Sequence, residues 1–109
     1  MSNKYVLILV DGLNNMQRNQ IQAEVTSEST NWWHEFLDVW IVETDKPVVL
    51  WRNRLRVVVG IGGELIVMGL PEVGKRSWAT KMKPHNTAWF GKHFTNKAKA
   101  EQPDDEPPF

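Results

Sequence analysis

The sequence contains no cysteine among its 109 residues, and this absence excludes several kinds of chemistry. Without a thiol the chain forms no disulfide, holds no thiolate-ligated zinc and has no cysteine nucleophile. Its histidines, His34, His85 and His93, lack the spacing of a metal site, so we expect no zinc. No serine lies in a nucleophile elbow or a recognisable triad. We therefore expect no cofactor and lean against an enzyme.

The sequence is also poor in long apolar runs. The run Tyr5 to Val10 is too short for a membrane span, and it lacks the basic flank and cleavage site of a signal peptide. The absence of cysteine suits a reducing compartment. We expect a cytoplasmic protein with no membrane partner.

A net charge of zero hides a strong segregation of charge along the chain. Residues 1–70 hold six basic and eight acidic side chains, whereas residues 71–100 hold seven basic side chains and only Glu72 as an acid. Residues 101–109 hold four acids and no base. Such asymmetry points to a charged partner, although a basic stretch can also be a solvated face.

The apolar pattern predicts three strands and two helices in the first 70 residues. Tyr5 to Val10 predicts a strand buried on both faces, followed by a helix capped by Asn14 or Asn15. The apolar positions of that helix are Met16, Ile21 and Val25. Residues 26–31 read as a polar loop.

The next predicted strand runs from Asp38 to Glu43, with Trp32 to Leu37 leading into it. A helix starts with Pro47 at its first position. Its apolar stripe has a spacing of three and four residues, and Gly60 to Gly63 ends it. The third strand is Glu64 to Leu70. The stripe comprises Val48, Trp51, Leu55 and Val58, and Arg52, Arg54 and Arg56 fall on the other faces.

The C-terminal third predicts less regular structure. Pro71 to Gly74 reads as a turn, Ser77 to Met82 as a short strand and Asn86 to Phe94 as a short helix capped by Asn86. From Lys97 onward there is almost nothing to bury, so we expect disorder. The predicted organisation is one domain over residues 1–96 and a disordered acidic tail over residues 97–109.

The order of elements predicts an α+β fold, specifically a ferredoxin-like sheet with two helices on one face, followed by a short C-terminal strand or helix and the tail. A doubly wound sheet would need longer parallel crossovers than this chain supplies.

Residues 5–70 resemble the small ferredoxin-fold proteins related to the CRISPR adaptation subunit. The resemblance is carried by an apolar strand ending in Asp11, by Leu37-Asp-Val-Trp-Ile-Val-Glu-Thr44 and by Glu64-Leu-Ile-Val-Met-Gly-Leu70. The phrase from Trp33 to Val42 is similar to one in phage members of this group. The resemblance implies a phage or mobile-element protein acting in the host cytoplasm, and it makes a homodimer an expectation.

Nuclease-active relatives hold a divalent metal on an aspartate at the end of the first strand. Asp11 is the matching position, and it implies a metal-dependent nuclease as an alternative function. No second acid follows it in Gly12-Leu13-Asn14-Asn15. The other interpretation is that Asp11 ends a strand and caps a turn.

A second resemblance concerns Gln102-Pro-Asp-Asp-Glu-Pro-Pro-Phe109, which looks like the acidic tail of bacterial single-stranded DNA-binding proteins. The resemblance implies a peptide that recruits replication or repair proteins of the host or the phage. A solubilising tail is the alternative. The candidate partner-binding residues are Asp104, Asp105, Glu106, Pro107, Pro108 and Phe109.

Cations and aromatic rings alternate between residues 75 and 94. Single-stranded nucleic acid needs this mixture, because cations neutralise phosphates and aromatic faces stack on unpaired bases. Trp78 and Trp89 are also candidates for the core. The candidate nucleic-acid-binding residues are Lys75, Arg76, Trp78, Lys81, Lys83, His85, Trp89 and Lys92.

The function predicted from the sequence is non-enzymatic binding of nucleic acid, chiefly single-stranded DNA, with low sequence preference. Two alternatives stay open at this point. One is the nuclease centred on Asp11, and the other is a phage protein that binds or inhibits a host replication or repair factor.

Overall fold

The computed structural model of the protein describes residues 5–70 and 80–94. The chain divides into two units, residues 1–71 and 72–109. The predicted domain boundary after residue 96 lies outside the described residues. The elements of the first unit are β1 (Tyr5–Asp11), α1 (Asn15–Glu28), β2 (Asn31–Phe36), β3 (Val39–Glu43), α2 (Val48–Val59) and β4 (Glu64–Leu70), and the second unit contains α3 (Pro84–His93).

The fold of the first unit is α+β, with a four-stranded sheet in the order β2-β3-β1-β4. Every pair of neighbouring strands is antiparallel. The central strand β1 places Ile8 opposite Trp40 of β3 and opposite Val67 of β4. Because side chains alternate between faces along a strand, this register puts all three on one face of the sheet.

The hydrophobic core lies between that face and the two helices. From the sheet it takes Val6, Ile8, Val10, Trp40 and Val42, of which Ile8, Trp40 and Val42 are completely buried. The helices add side chains at spacings of four residues, so each presents one apolar stripe. These are Ile21 and Val25 of α1 and Trp51, Leu55 and Val59 of α2.

Local signals in the sequence explain where α1 begins and where α2 ends. The Asn14 side-chain oxygen accepts a hydrogen bond from the backbone N–H of Gln17 (2.8 Å), and the backbone N–H of Asn14 donates to Oε1 of Gln17 (2.9 Å), which forms a capping box. Gly60 ends α2 with a φ of 73°, a conformation that favours glycine. A Cβ at Gly63 would lie 2.6 Å from Leu13 Cδ2, 2.8 Å from Val59 Cγ1 and 3.0 Å from the Val59 carbonyl oxygen, so the turn into β4 favours glycine there too.

The prediction of a single strand between the two helices was wrong, because this part of the chain forms a hairpin. Asn31–Phe36 is strand β2, and it pairs with β3 across the turn at Leu37 and Asp38. The predicted polar loop over residues 26–31 is wrong for the same reason, since residues 26–28 belong to α1 and Asn31 to β2. The irregular pattern of Trp32-Trp-His-Glu-Phe36 hid the strand, because the register shifts between Trp33 and Phe36.

Burial corrects two further predictions. Strand β1 is not buried on both faces, because only Val6, Ile8 and Val10 are buried and the alternating residues are intermediate. The face that they share with β4 leaves Ile66 and Met68 about half exposed. Met16 was expected on the apolar side of α1, but it is 70% exposed.

The predicted stripe of α2 is confirmed at Trp51 and Leu55, which are completely buried. At the end of the helix the buried residue is Val59, with Val58 only partly buried against the core. Pro47 is the N-cap and not the first helical residue. No helix within residues 5–70 or 80–94 combines the length and apolar character that crossing a membrane requires.

Candidate nucleic-acid interface

The candidate interface is built on helix α3 of the second unit. Pro84 occupies the first helical position, where its fixed φ is favourable, and Lys83 is the N-cap. The prediction that Asn86 caps the helix was wrong, because Asn86 lies inside it and is buried. The preceding residues are joined to the helix by a 3.0 Å hydrogen bond between the hydroxyl groups of Thr80 and Thr87.

One side of α3 collects the predicted binding residues. His85, Trp89 and Lys92 are spaced by four and three residues, so they lie along one side of the helix, and His93 follows one turn after Trp89. His85 and Lys92 are exposed, whereas Trp89 is half-buried. The helix thus brings together three of the eight candidate residues: a histidine, a tryptophan and a lysine.

Lys81 and Lys83 lie immediately before this helix and are both exposed. Residues 80–94 contain three lysines and no acidic side chain. A cation at the N-terminal end of a helix is not stabilised by the helix dipole, so Lys83 gains nothing electrostatically from its position as N-cap. The folding of α3 therefore does not account for this lysine.

Trp89 belongs to an aromatic cluster within the second unit. Its ring stacks on His93, with centroids 4.1 Å apart and planes inclined by 27°. Edge contacts join it to Phe90 at 5.8 Å and to Phe94 at 5.6 Å. Phe94 is buried, at 5% exposure. The packing fixes the orientation of the Trp89 ring while part of its surface stays accessible.

Several predicted residues lie outside the described residues. The predicted turn over residues 71–74 and residues 77–79 of the predicted short strand also lie outside the described residues. The rest of that predicted strand, Thr80 to Met82, is described and is not in a strand. Residues 97–109, expected to be disordered, are also outside. The site residues concerned are Lys75, Arg76, Trp78, Asp104, Asp105, Glu106, Pro107, Pro108 and Phe109.

Asp11, the alternative catalytic residue, is the last residue of β1 and is exposed. The antiparallel register places Glu64 of β4 directly opposite Asp11. Asp11 therefore has an acidic neighbour in the fold, although none follows it closely in the sequence. An open cleft of about 410 Å³ is lined by Leu9 to Asp11 and Glu64 to Ile66. Within residues 5–70 and 80–94, no group of three histidine, aspartate or glutamate side chains is arranged to hold a metal ion.

The aromatic side chains of β2, at Trp32, Trp33 and His34, are largely structural. Trp33 is 4% exposed and contacts the Phe36 ring edge-on at 4.9 Å. Trp32 is partly buried against the core. The His34 ring stacks on the buried Trp40 at 3.9 Å with nearly parallel planes, and its Nδ1 lies 2.9 Å from the Val39 carbonyl oxygen.

Ion pairs in the first unit join α1 to the region of α2. Arg54 binds Glu28 at 2.8 Å and approaches Glu24 at 3.6 Å, and Lys46 lies 3.4 Å from Glu28. The hydrogen bond from Arg54 is the main cause that lowers the pKa of Glu28, and Lys46 adds to it. At Tyr5, partial burial raises the pKa of the phenol, and the nearby charge of Glu43 raises it further.

Comparison with known proteins gives no family model, no curated protein and no solved structure that matches this chain.

Proposed function

We propose that the protein binds nucleic acid, chiefly single-stranded DNA, with low sequence preference. The observation that supports this function best is the arrangement of α3, where His85, Trp89 and Lys92 share one side of a helix in a segment without acidic residues. Exposed lysines attract phosphates of any sequence. The Trp89 indole, whose orientation is fixed by its ring contacts and which is partly accessible, offers a stacking surface to any base.

The arrangement favours single strands over duplexes. Bases of a duplex already stack on each other, so a half-buried tryptophan on a helix surface gains a partner only from an unpaired base. Neither His85 nor Lys92 has the planar guanidinium fork with which arginine reads a base edge. Low sequence preference follows from this composition.

A titration by fluorescence anisotropy tests the proposal. A labelled single strand of about thirty nucleotides exceeds the site sizes of common single-strand-binding modules, which are about 4–16 nucleotides. We expect binding that weakens steeply with salt, and weaker binding to a duplex of the same length. Absence of binding at low salt would contradict the proposal and would direct the search to protein partners.

The negative charge of segment 101–109 gives this segment a role in the proposal. It holds four acids against the basic residues of segment 71–100, so it is a candidate competitor for the nucleic-acid surface or a peptide that recruits replication or repair proteins. A truncation ending at Ala100 separates these roles. Tighter DNA binding after truncation supports competition, whereas unchanged DNA binding with loss of a partner protein supports recruitment.

We also propose that the sheet of the first unit is ferredoxin-like. The order strand-helix-strand-strand-helix-strand is the order of that fold. The central position of β1 and β3 and the contribution of both helices to one core support the assignment. An experimental structure with α1 and α2 on opposite faces of the sheet would contradict it.

A metal-dependent nuclease centred on Asp11 is the second candidate, and one observation favours it. Glu64 lies opposite Asp11, so two carboxylates flank the cleft at the end of β1. Two oxygen-bearing side chains leave most of the coordination sphere of Mg²⁺ to water or substrate, as is usual for this ion. Magnesium-dependent cleavage of DNA that disappears in both Asp11→Asn and Glu64→Gln would support this function, and cleavage that survives both would exclude it.

A further inference from the structure

The cationic side chains of the first unit differ in how they are neutralised. Arg18 binds Asp38 at 2.8 Å, and Arg54 binds Glu28 at the same distance. Lys46 shares the carboxylate of Glu28. Each of these cations therefore contributes to contacts that hold α1 against its neighbours.

Arg52 and Arg56 are the two exceptions among the described cations of residues 5–70. Both are exposed, and neither forms an ion pair with a described carboxylate. The Nε of Arg52 donates to the neighbouring Asn53 Oδ1 at 3.1 Å. Because they are four residues apart, the two guanidinium groups lie one turn apart on the same exposed face of α2.

The fold of the first unit does not account for this pair. Like charges four residues apart destabilise a helix, and α2 contains no acidic residue to offset them. Arg56 lies in the last turn, where a cation interacts favourably with the helix dipole and offsets part of this cost, whereas Arg52 lies outside that turn. An exposed arginine pair with no described carboxylate partner points to an anionic partner.

We propose that Arg52 and Arg56 form a second phosphate-binding surface for nucleic acid, on α2. This inference rests on the proposed function and extends it to the first unit. A guanidinium group is planar and presents paired donors that match the oxygens of a phosphate. The exposed face of α2 offers no aromatic ring on which a base could stack, so we assign to this surface contacts with the phosphate backbone.

Two exposed valines of α2 suggest the competing interpretation. Val49 is 55% exposed and lies three residues before Arg52, and Val57 is 78% exposed and follows Arg56 in the sequence. Arginine mixed with exposed apolar residues is also found in protein–protein interfaces. We favour nucleic acid because the charges are unpaired and the chain has a second cationic surface on α3, and the experiment separates the two interpretations.

The test is a salt titration of the full chain with the labelled single strand, comparing the wild type with Arg52→Gln/Arg56→Gln. Each phosphate contact to a single strand contributes about 0.7 to the slope of log K against log salt, so loss of two contacts lowers the slope by about 1.4. The matched variant Arg52→Lys/Arg56→Lys keeps the charge and is expected to keep the slope. A thermal midpoint equal to or above that of the wild type shows that the variants fold.

Lys81→Gln/Lys83→Gln removes the same charge from the second unit and serves as the reference. If it weakens binding while Arg52→Gln/Arg56→Gln leaves the slope and affinity unchanged, the second surface is wrong and the α3 site stands. If Val49→Ser/Val57→Ser weakens binding as much as the arginine change does, the face binds through apolar contacts and the inference is wrong. If the wild type binds no strand at all, both proposals fail together.

Discussion

Trp89 and His93 stack one helical turn apart, with their ring centroids 4.1 Å apart. Trp89 lies on α3 between the exposed residues His85 and Lys92, and His93 is the last residue of the helix. Stacking on one side leaves the tryptophan half-buried and limits the orientations of its ring. A base that stacks on Trp89 therefore meets a surface that has already lost most of its conformational freedom, which reduces the entropic cost of binding.

Replacing Trp89 tests this role directly. Stacking of one base on an aromatic side chain is worth about 1–3 kcal/mol, so we expect Trp89→Ala to weaken single-strand binding by about 5-fold to 150-fold. The slope of the salt dependence is expected to stay the same, because no cation is removed. Anisotropy titrations at several salt concentrations measure both quantities.

The variant Trp89→Phe is the matched control, since phenylalanine retains a flat ring at the same position. We expect it to recover most of the affinity that alanine loses. Circular dichroism of each variant checks that α3 is still formed. Wild-type affinity in Trp89→Ala with an intact helix would remove Trp89 from the binding surface.

The core of the first unit predicts a contrast between two positions on α2. Leu55 is completely buried, so Leu55→Ala leaves a cavity and is expected to lower the free energy of unfolding by about 2–5 kcal/mol. Val57 lies two residues away and is 78% exposed, so Val57→Ala is expected to change the free energy of unfolding by less than about 0.5 kcal/mol. Urea denaturation followed by tryptophan fluorescence measures both. Similar losses in the two variants would show that α2 does not pack by this face.

Elements with a strong apolar period could be predicted from the sequence. Trp51 and Leu55 of α2 and the strand Glu64–Leu70 lie where the pattern places them. Strand β2 could not be predicted, because its pairing with β3 shifts register between Trp33 and Phe36 and the alternation of apolar residues is lost. Met16 misled the prediction because a single apolar residue on a weakly patterned helix carries little information about its orientation.

The candidate site was predicted only in part, for a related reason. The helix predicted over Asn86 to Phe94 is present as α3, and the spacing of three residues places Trp89 and Lys92 on one side of it. The pairing of Asp11 with Glu64 depends on the register of two strands far apart in the sequence, which no local pattern reports. The sequence also did not distinguish Arg52 and Arg56 from the other arginines. The distinction appears only in the fold, where Arg18 and Arg54 form ion pairs and Arg52 and Arg56 form none with a described carboxylate.

The sequence offered two asparagines as the cap of α1, and the structure assigns the role to Asn14. We expect Asn14→Ala to lower the free energy of unfolding by about 1 kcal/mol, because the backbone N–H of Gln17 loses its acceptor. Asn15→Ala is the matched control, since the only described hydrogen bond of the Asn15 side chain is the one it accepts from the Arg18 side chain. Its expected effect is smaller than that of Asn14→Ala. Chemical denaturation of the pair checks the assignment, and a larger loss at Asn15 would contradict it.

The ion pairs around Glu28 predict a loss of stability in acid. The pKa of Glu28 is lowered from 4.5 in the folded protein, first by the hydrogen bond from Arg54 and then by Lys46. A carboxyl group with a lowered folded pKa stabilises the fold above its unfolded pKa, and this contribution is lost as the pH falls through the folded pKa. We therefore expect stability to decline below about pH 4.5, and the decline to be shallower in Glu28→Gln.

Thermal denaturation at a series of pH values between about 3 and 7 measures this difference. Glu35→Gln, an exposed change on β2, is the control and is expected to leave the decline close to that of the wild type. Because the ion pairs are partly exposed, added salt should reduce the difference between Glu28→Gln and the wild type. A decline in Glu28→Gln as steep as in the wild type would show that Arg54 and Lys46 do not hold this carboxylate in solution. The contact between α1 and α2 would then rest on apolar packing and on the Gln17 hydrogen bonds.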